Sequence, residues 1–220
     1  MMKKILKSHL TKFICTMLIL GVMVSHDKIK FEADPVEDIA PHVVSWNIIT
    51  RNNQRFATGF HLKYKGEVFI VTNKHVCDSN VKNVNSKYIQ FEDYVGEIIA
   101  IDDLHDLCLV TSNRDDGLEL ANKPNEEMDE IILVGFPRGI GKTIRFGHII
   151  EMQTEYIPWI GAVANFYQVS TMAYGGNSGS PVCDIYGDVV GVLFAGSPAY
   201  PSEPFIVPWI DLVMFLERNV

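Results

Sequence analysis

The sequence predicts an all-β fold with one short helix at its C-terminal end, on three observations. Short runs rich in β-branched and aromatic residues follow one another from residue 43, at roughly ten-residue spacing. Gly, Asn and Asp punctuate those runs, as turn residues do. Two places, LKYKGEVFI and CDIYGDVVGV, read as hairpins, with turns at Lys65-Gly66 and at Tyr186-Gly187-Asp188.

Residues 1–34 stand apart from that pattern. MMKKILKSHLTK is basic, FICTMLILGVMV (13–24) is apolar and SHDK is polar, which is the layout of an export signal. The apolar run is shorter than the roughly 20 residues of a membrane span, so export or membrane tethering is expected, with a buried amphipathic helix as the alternative. FEADPVEDIAP then reads as an irregular linker. The strand runs of the first half, residues 35–115, are VVSWNIIT, FATGFHLKYK, EVFIVTN, YIQFE, VGEIIAI and LCLVTS. NRDDGLELANKPNEEMDE (113–130) is the longest polar stretch and the expected connection between halves. In the second half, residues 116–220, the runs are IILVGFP, TIRFGHIIEMQ, NFYQVSTM, PVCDIYGDVVGVLFAG and PFIVP. In the closing WIDLVMFLERN, Trp209, Leu212, Val213 and Leu216 share the spacing of one apolar helix face.

Composition narrows the function. The chain has 220 residues, 47% hydrophobic and 21% charged, which is globular rather than disordered. Net charge is −8, and Lys3, Lys4, Lys7 and Lys12 all fall in the basic leader, so the body is more acidic still. With no later cluster of Lys and Arg, a nucleic-acid partner is not expected. Of the four cysteines, Cys15 lies in the apolar leader. Cys77, Cys108 and Cys183 have the spacing of neither a disulfide framework nor a zinc site. Cys108, within DLCLV, reads as a buried free thiol; one bridge among the three would fit an oxidising compartment, with the pairing open. No metal or cofactor is expected.

Three stretches could carry chemistry. His75 in VTNKHVCD directly follows an apolar strand and could act as a general base, although one of seven histidines near a strand end could equally be a loop residue. Asp106 in IDDLHDLCLV precedes a buried strand, where a carboxylate needs a partner such as a histidine N–H; a strand-capping role, or Asp102 or Asp103 in its place, is the alternative. YGGNSGSPVC encloses Ser178 between Gly175-Gly176 and Gly179. A serine nucleophile needs a base to take its proton and donors for the resulting oxyanion, and glycines let main-chain N–H groups curl into that role. A flexible Gly/Ser turn is the alternative. The order His, Asp, Ser is one of the orders in which a serine triad occurs.

With those residues in view, the sequence resembles the chymotrypsin/trypsin-like serine peptidases, and among them the bacterial HtrA-like and glutamyl-endopeptidase-like branches, over about residues 43–215. VTNKHV is similar to their T-x-x-H motif, HDLCLV to D-[LI]-A-[LV]-L and GGNSGSPV to G-N-S-G-[GS]-P, with weaker echoes in TGFHL, ILVGFPRG and FGHII. The resemblance implies two six-stranded antiparallel β-barrels with the site in the cleft between them, and a serine endopeptidase acting on polypeptide substrates. It implies Ser178 as nucleophile, His75 as base and Asp106 as its orienting partner, with the N–H groups of Gly176 and Ser178 as oxyanion hole. VLFAG (192–196) would be the strand that pairs with substrate. Phe194, Ala195 and Gly196 would edge the specificity pocket, and Met172 and Ala173 its floor and wall. Small or medium apolar side chains before the cleaved bond are then expected. Asn177 replaces the aspartate that answers a newly cut N-terminus in digestive enzymes, so that activation is not implied. Cys77 is two residues past His75 rather than adjacent, which departs from the family's histidine-loop disulfide. The residues after Ser178 are too few for a PDZ domain. A binding module on the same fold, or an esterase with the same residues, are the competing functions.

Overall fold

A computed structural model describes residues 34–49, 54–81, 87–92, 94–157, 162–197 and 200–220. The leader run 13–24 lies outside the described residues, among which no helix is long and apolar enough to cross a membrane.

Six strands form the first sheet: β1 (Val43–Ile49), β2 (Gln54–Tyr64), β3 (Glu67–Asn73), β4 (Tyr88–Phe91), β5 (Tyr94–Asp102) and β6 (Leu107–Thr111). Their order is β1-β2-β3-β6-β5-β4 with antiparallel pairing. The Glu92 N–H donates to Ser45 O at 3.1 Å and the Ser45 N–H to Glu92 Oε1 at 3.1 Å, which draws the far edges together into a nearly closed barrel. The second six close fully: β7 (Glu130–Gly135), β8 (Thr143–Ile157), β9 (Ala162–Ser170), β10 (Pro181–Cys183), β11 (Val189–Ser197) and β12 (Tyr200–Pro208), in the order β10-β11-β12-β9-β8-β7. The expected all-β double barrel is therefore observed.

Local chemistry explains the elements. In β4, Ile89 and Phe91 are buried and Tyr88 and Gln90 exposed, the period of two that one wetted face requires. The β2–β3 turn places Lys65 at φ 49° and Gly66 at φ 87°, the left-handed pair of a two-residue hairpin turn. Between β10 and β11 the Asp184 carboxylate accepts the N–H groups of Tyr186 and Asp188, which fixes the second expected hairpin.

Among the described residues three α-helices accompany the strands: α1 (Pro35–Ile39), α2 (Lys74–Val81) and α3 (Trp209–Asn219). α1 corrects the reading of FEADPVEDIAP as wholly irregular; Pro35 suits a helix start, Glu37 and Asp38 favour the first turn, and Ile39 is buried. In α3 the buried apolar residues are Leu212, Phe215 and Leu216, so Phe215 takes the place expected for Val213, which is half-buried.

Cys77 and Cys108 form a disulfide, Cα atoms 6.6 Å apart, which corrects the reading of Cys108 as a free thiol. Cys183 is the free cysteine among the described residues, and its burial pushes the thiol pKa well up. The polar connection is pinned to both barrels: Leu118 exchanges backbone hydrogen bonds with His61 and Lys63 of β2, while Glu119 and Ala121 bond Val189 of β11. One hydrophobic cluster spans both barrels, joining Phe60, Leu62 and Leu109 to Val134, Val192 and Phe194.

Candidate active site

β3 ends at Asn73 and α2 begins at Lys74, so His75 occupies the first turn of a helix rather than a loop. What makes the chain turn there is Asp106. Its φ is 54°, a left-handed conformation that aspartate tolerates better than most residues. Its carbonyl accepts the Lys74 N–H at 2.9 Å and the Asn73 side-chain amide at 3.1 Å. Its carboxylate accepts the His75 N–H at 2.9 Å through Oδ1 and faces His75 Nδ1 at 2.7 Å through Oδ2. One carboxylate thus caps the helix start and orients the imidazole on it. Nδ1 facing a carboxylate oxygen carries the proton, which leaves Nε2 as an acceptor. The Asp106 side chain is 7% exposed and that of His75 49%, so the ring is held from behind and open in front.

The disulfide runs alongside. Cys77 lies two residues after His75 and Cys108 two after Asp106, and both half-cystines are fully buried. It links the first turn of α2 to the first residues of β6, parallel to the imidazole–carboxylate bond.

Ser178 is half-buried in the loop between β9 and β10. Its carbonyl accepts the Thr58 N–H at 2.8 Å. Gly176 and Gly179 take φ values of 105° and 83°, and each approaches backbone so closely that a Cβ would collide: 2.4 Å from Phe136 O at Gly176 and 2.1 Å from Thr58 O at Gly179. In this loop the Asn177 N–H bonds Tyr174 O, that of Gly179 bonds Leu193 O and that of Ser180 bonds Asn177 O. The N–H groups of Gly176 and Ser178 donate to no group among the described residues. Both are main-chain donors within the tight glycine turn, beside the bonded N–H groups of Asn177, Gly179 and Ser180.

His75 and Gly176 line one cleft of about 460 Å³, with Trp46, Arg55, Phe56 and Arg138 among its other walls. A larger hollow of about 590 Å³, between the connection and the Asp184–Asp188 turn, contains none of the candidate site residues. The hydrogen bond within the candidate set joins His75 to Asp106; Ser178 is two residues past Gly176, which lines the same cleft as His75. Asp102, weighed as an alternative to Asp106, instead bonds His105 and Arg218. Burial, which pushes the Asp102 pKa up, is outweighed by these hydrogen bonds from His105 and by the Leu104 N–H, so the carboxyl titrates below its ordinary range. Asp103 is mostly exposed and pairs with Lys74 at 2.6 Å.

Of the expected pocket residues, Met172 is 37% exposed and Ala173 is buried. Phe194 is 5% exposed, its ring edge-on to Phe166 at 6.2 Å within the core cluster. Ala195 and Gly196 continue β11, with their side-chain surroundings outside the described part.

Two further residues organise the loop. Thr58 is fully buried; its hydroxyl donates to Gly176 O at 2.8 Å and accepts the Phe136 N–H at 3.1 Å. Arg138, at φ 56°, donates its N–H to Gly175 O at 2.6 Å. TGFHL was a weak signal for the first, and ILVGFPRG covered the second without marking a role for it.

Chains of two antiparallel β-barrels, with a histidine–aspartate pair and a glycine-framed serine at one cleft, make up the chymotrypsin-like class. Within it, this chain belongs to the trypsin-like peptidase domain family, whose model matches residues 57–192, more than half of its length. It is 30% identical over 175 residues to the magnetosome formation protease MamE of Magnetospirillum gryphiswaldense, covering 74% of this chain and 22% of MamE. A probable periplasmic serine endoprotease, DegP-like, of Chlamydia pneumoniae is 29% identical over 157 residues, covering 69% of this chain and 31% of the relative. The chain therefore spans a third or less of these relatives. In fold it resembles the active form of the Rv3671c protease of M. tuberculosis, with TM-score 0.66, 20% identity and coverage of 84% of this chain and 83% of that one. It also resembles the HtrA-type protease AlgW with tripeptide, with TM-score 0.66, 19% identity and coverage of 84% and 61%.

Proposed function

We propose that the protein is a serine endopeptidase in which Ser178, His75 and Asp106 act as a triad. Ser178 Oγ attacks the scissile carbonyl while its proton passes to His75 Nε2 and then to the departing amine. Water, deprotonated by the same imidazole, then hydrolyses the acyl-enzyme and frees Ser178. Asp106 holds the imidazole in the required tautomer and stabilises its protonated form. The N–H groups of Gly176 and Ser178 receive the oxyanion. The observation that carries this reading is the 2.7 Å bond between His75 and Asp106, set on the same cleft as Gly176, whose loop leaves the N–H groups of Gly176 and Ser178 undonated. Met172, Ala173 and the β11 segment Phe194–Gly196 would frame a pocket for small or medium apolar side chains. The Chlamydia relative is a probable periplasmic endoprotease; with the Cys77–Cys108 bridge, which suits an oxidising compartment, that supports export directed by the leader.

A fluorophosphonate probe with peptide turnover tests the mechanism. Labelling is expected at Ser178, and both labelling and turnover should fall by about 10⁴-fold or more in His75→Ala. Labelling of His75→Ala at the full rate, or a wild-type protein that neither labels nor cleaves a peptide library, would overturn it.

A further inference from the structure

We propose that the cleft beside His75 is a subsite selecting acidic residues on the C-terminal side of the cleaved bond, with Arg138 as its principal determinant. This rests on the assignment of His75 and Ser178 to catalysis and adds a substrate class to it.

Position comes first. The cleft is walled by β1, β2, the first turn of α2, Gly175–Gly176 and Arg138; none of the described side chains of β11 contributes. β11 is the strand expected to pair with substrate ahead of the cleaved bond. A polypeptide laid along β11 and cut at Ser178 therefore carries its departing half away from β11, over this cleft. His75, which would hand its proton to the leaving amine, opens onto it.

The lining has one sign of charge. Its ionisable members besides His75 are Arg55 and Arg138, and no carboxylate lines it among the described residues. That is notable in a chain of net charge −8. The lining also includes apolar side chains: Trp46 and Ala57, which are buried, and Phe56, which is half-buried. A lining of apolar and basic side chains suits a side chain with a short aliphatic stem and a carboxylate end, such as glutamate.

Arg138 is built in rather than loosely placed. Its left-handed backbone and its 2.6 Å bond to Gly175 O tie it to the loop that carries the oxyanion donors. Its guanidinium carbon lies 4.5 Å from the centre of the Tyr174 ring. Stacking on a ring face fixes the plane of the group and leaves its edge donors for a planar carboxylate. No carboxylate pairs with it among the described residues.

The test uses the full chain and C-terminally amidated peptides, so that the only carboxylate is a side chain. Two quenched substrates, identical up to the cleaved bond, carry Glu or Lys at the two following positions. The Glu substrate is expected to win by about tenfold in kcat/KM at low salt, the range of a partly screened pair against its like-charge counterpart. The ratio should fall toward one in Arg138→Gln and invert in Arg138→Glu. In parallel, the corresponding product-side peptides are titrated against Ser178→Ala by fluorescence anisotropy, where the same order should appear and shrink with salt. This arm needs no catalysis: a protein that neither labels nor cleaves but still prefers the Glu peptide would sink the peptidase reading and keep the subsite. Equal affinities for the Glu and Lys peptides, or a preference unmoved by Arg138→Glu, would overturn the subsite whatever the enzyme does.

Discussion

Gly179 follows the proposed nucleophile and shows how narrowly its loop is built. A Cβ there would lie 2.1 Å from Thr58 O and 2.3 Å from Thr72 Oγ1, at a φ that L side chains rarely adopt. Both obstacles belong to strands of the other barrel, so the loop itself must move. Gly179→Ala is expected to cost about 2–4 kcal/mol and to abolish probe labelling at Ser178. Gly175 has nothing within 4 Å of an added Cβ, so Gly175→Ala should stay within about 0.5 kcal/mol; denaturant melts giving equal losses for the two would refute this account. His61 makes a different demand. It is 3% exposed with Nδ1 2.8 Å from Ser112 Oγ. Burial first, and then the charges of Arg114 and His42, lowers its pKa from 6.5 to about 4. The folded state keeps His61 neutral while the unfolded chain protonates, so this contribution is whole above pH 6.5 and is lost as pH falls through about 4. The loss amounts to about 3 kcal/mol at most. His61→Gln should flatten the fall in Tm between pH 7 and pH 4.5, and an unchanged slope would remove His61 as its source.

Secondary-structure elements divide into those written in their own residues and those made by contacts. The strands, both hairpins and α3 were legible because alternation, Lys65-Gly66 and an apolar helix face are local signals. The helix α2 was not: KHVCDSNV is eight residues long with no sustained apolar stripe, and its start is held by Asp106, 31 residues away. The disulfide was hidden for the same reason, since its pairing depends on α2 and β6 meeting. His75, Asp106 and Ser178 could be named from their motifs. Which N–H groups would remain undonated could not, because it depends on bonds the loop makes elsewhere, and Arg138 joins the cleft through tertiary packing alone. The bridge has a measurable consequence. It closes a loop of 31 residues, for which chain-entropy reasoning gives about 3–4 kcal/mol. Reductant should lower the wild-type unfolding free energy from denaturant melts by that amount and leave the Cys77→Val/Cys108→Ala double variant unmoved. A wild-type midpoint indifferent to reductant would show that the bridge contributes nothing.

Across the whole described body, the two barrels share more than a cleft. The cluster containing Leu62 and Leu109 of the first barrel and Val192 and Phe194 of the second also contains Leu212, Phe215 and Leu216 of α3. α3 leaves the last strand of the second barrel, yet its polar contacts reach the first. The Tyr64 hydroxyl donates to Glu217, Lys65 pairs with Glu217 at 3.1 Å and Arg218 with Asp102 at 2.7 Å. His105 Nε2 lies 3.5 Å from the buried Asp211, whose pKa burial raises. The exposed members of this set contribute little singly; the shared apolar core is what couples the barrels. Residues 34–220 should therefore unfold as one cooperative unit, although sheet topology alone would allow two. Leu216→Ala tests this, because Leu216 is fully buried at the junction and its truncation should cost about 2–5 kcal/mol. In calorimetry the variant should show one transition at lower temperature, with calorimetric and van't Hoff enthalpies still equal. Were the barrels independent, loosening α3 would split the profile, and the cleft would then lie between parts free to separate while each stayed folded. A single displaced transition means instead that neither barrel stays folded without the other.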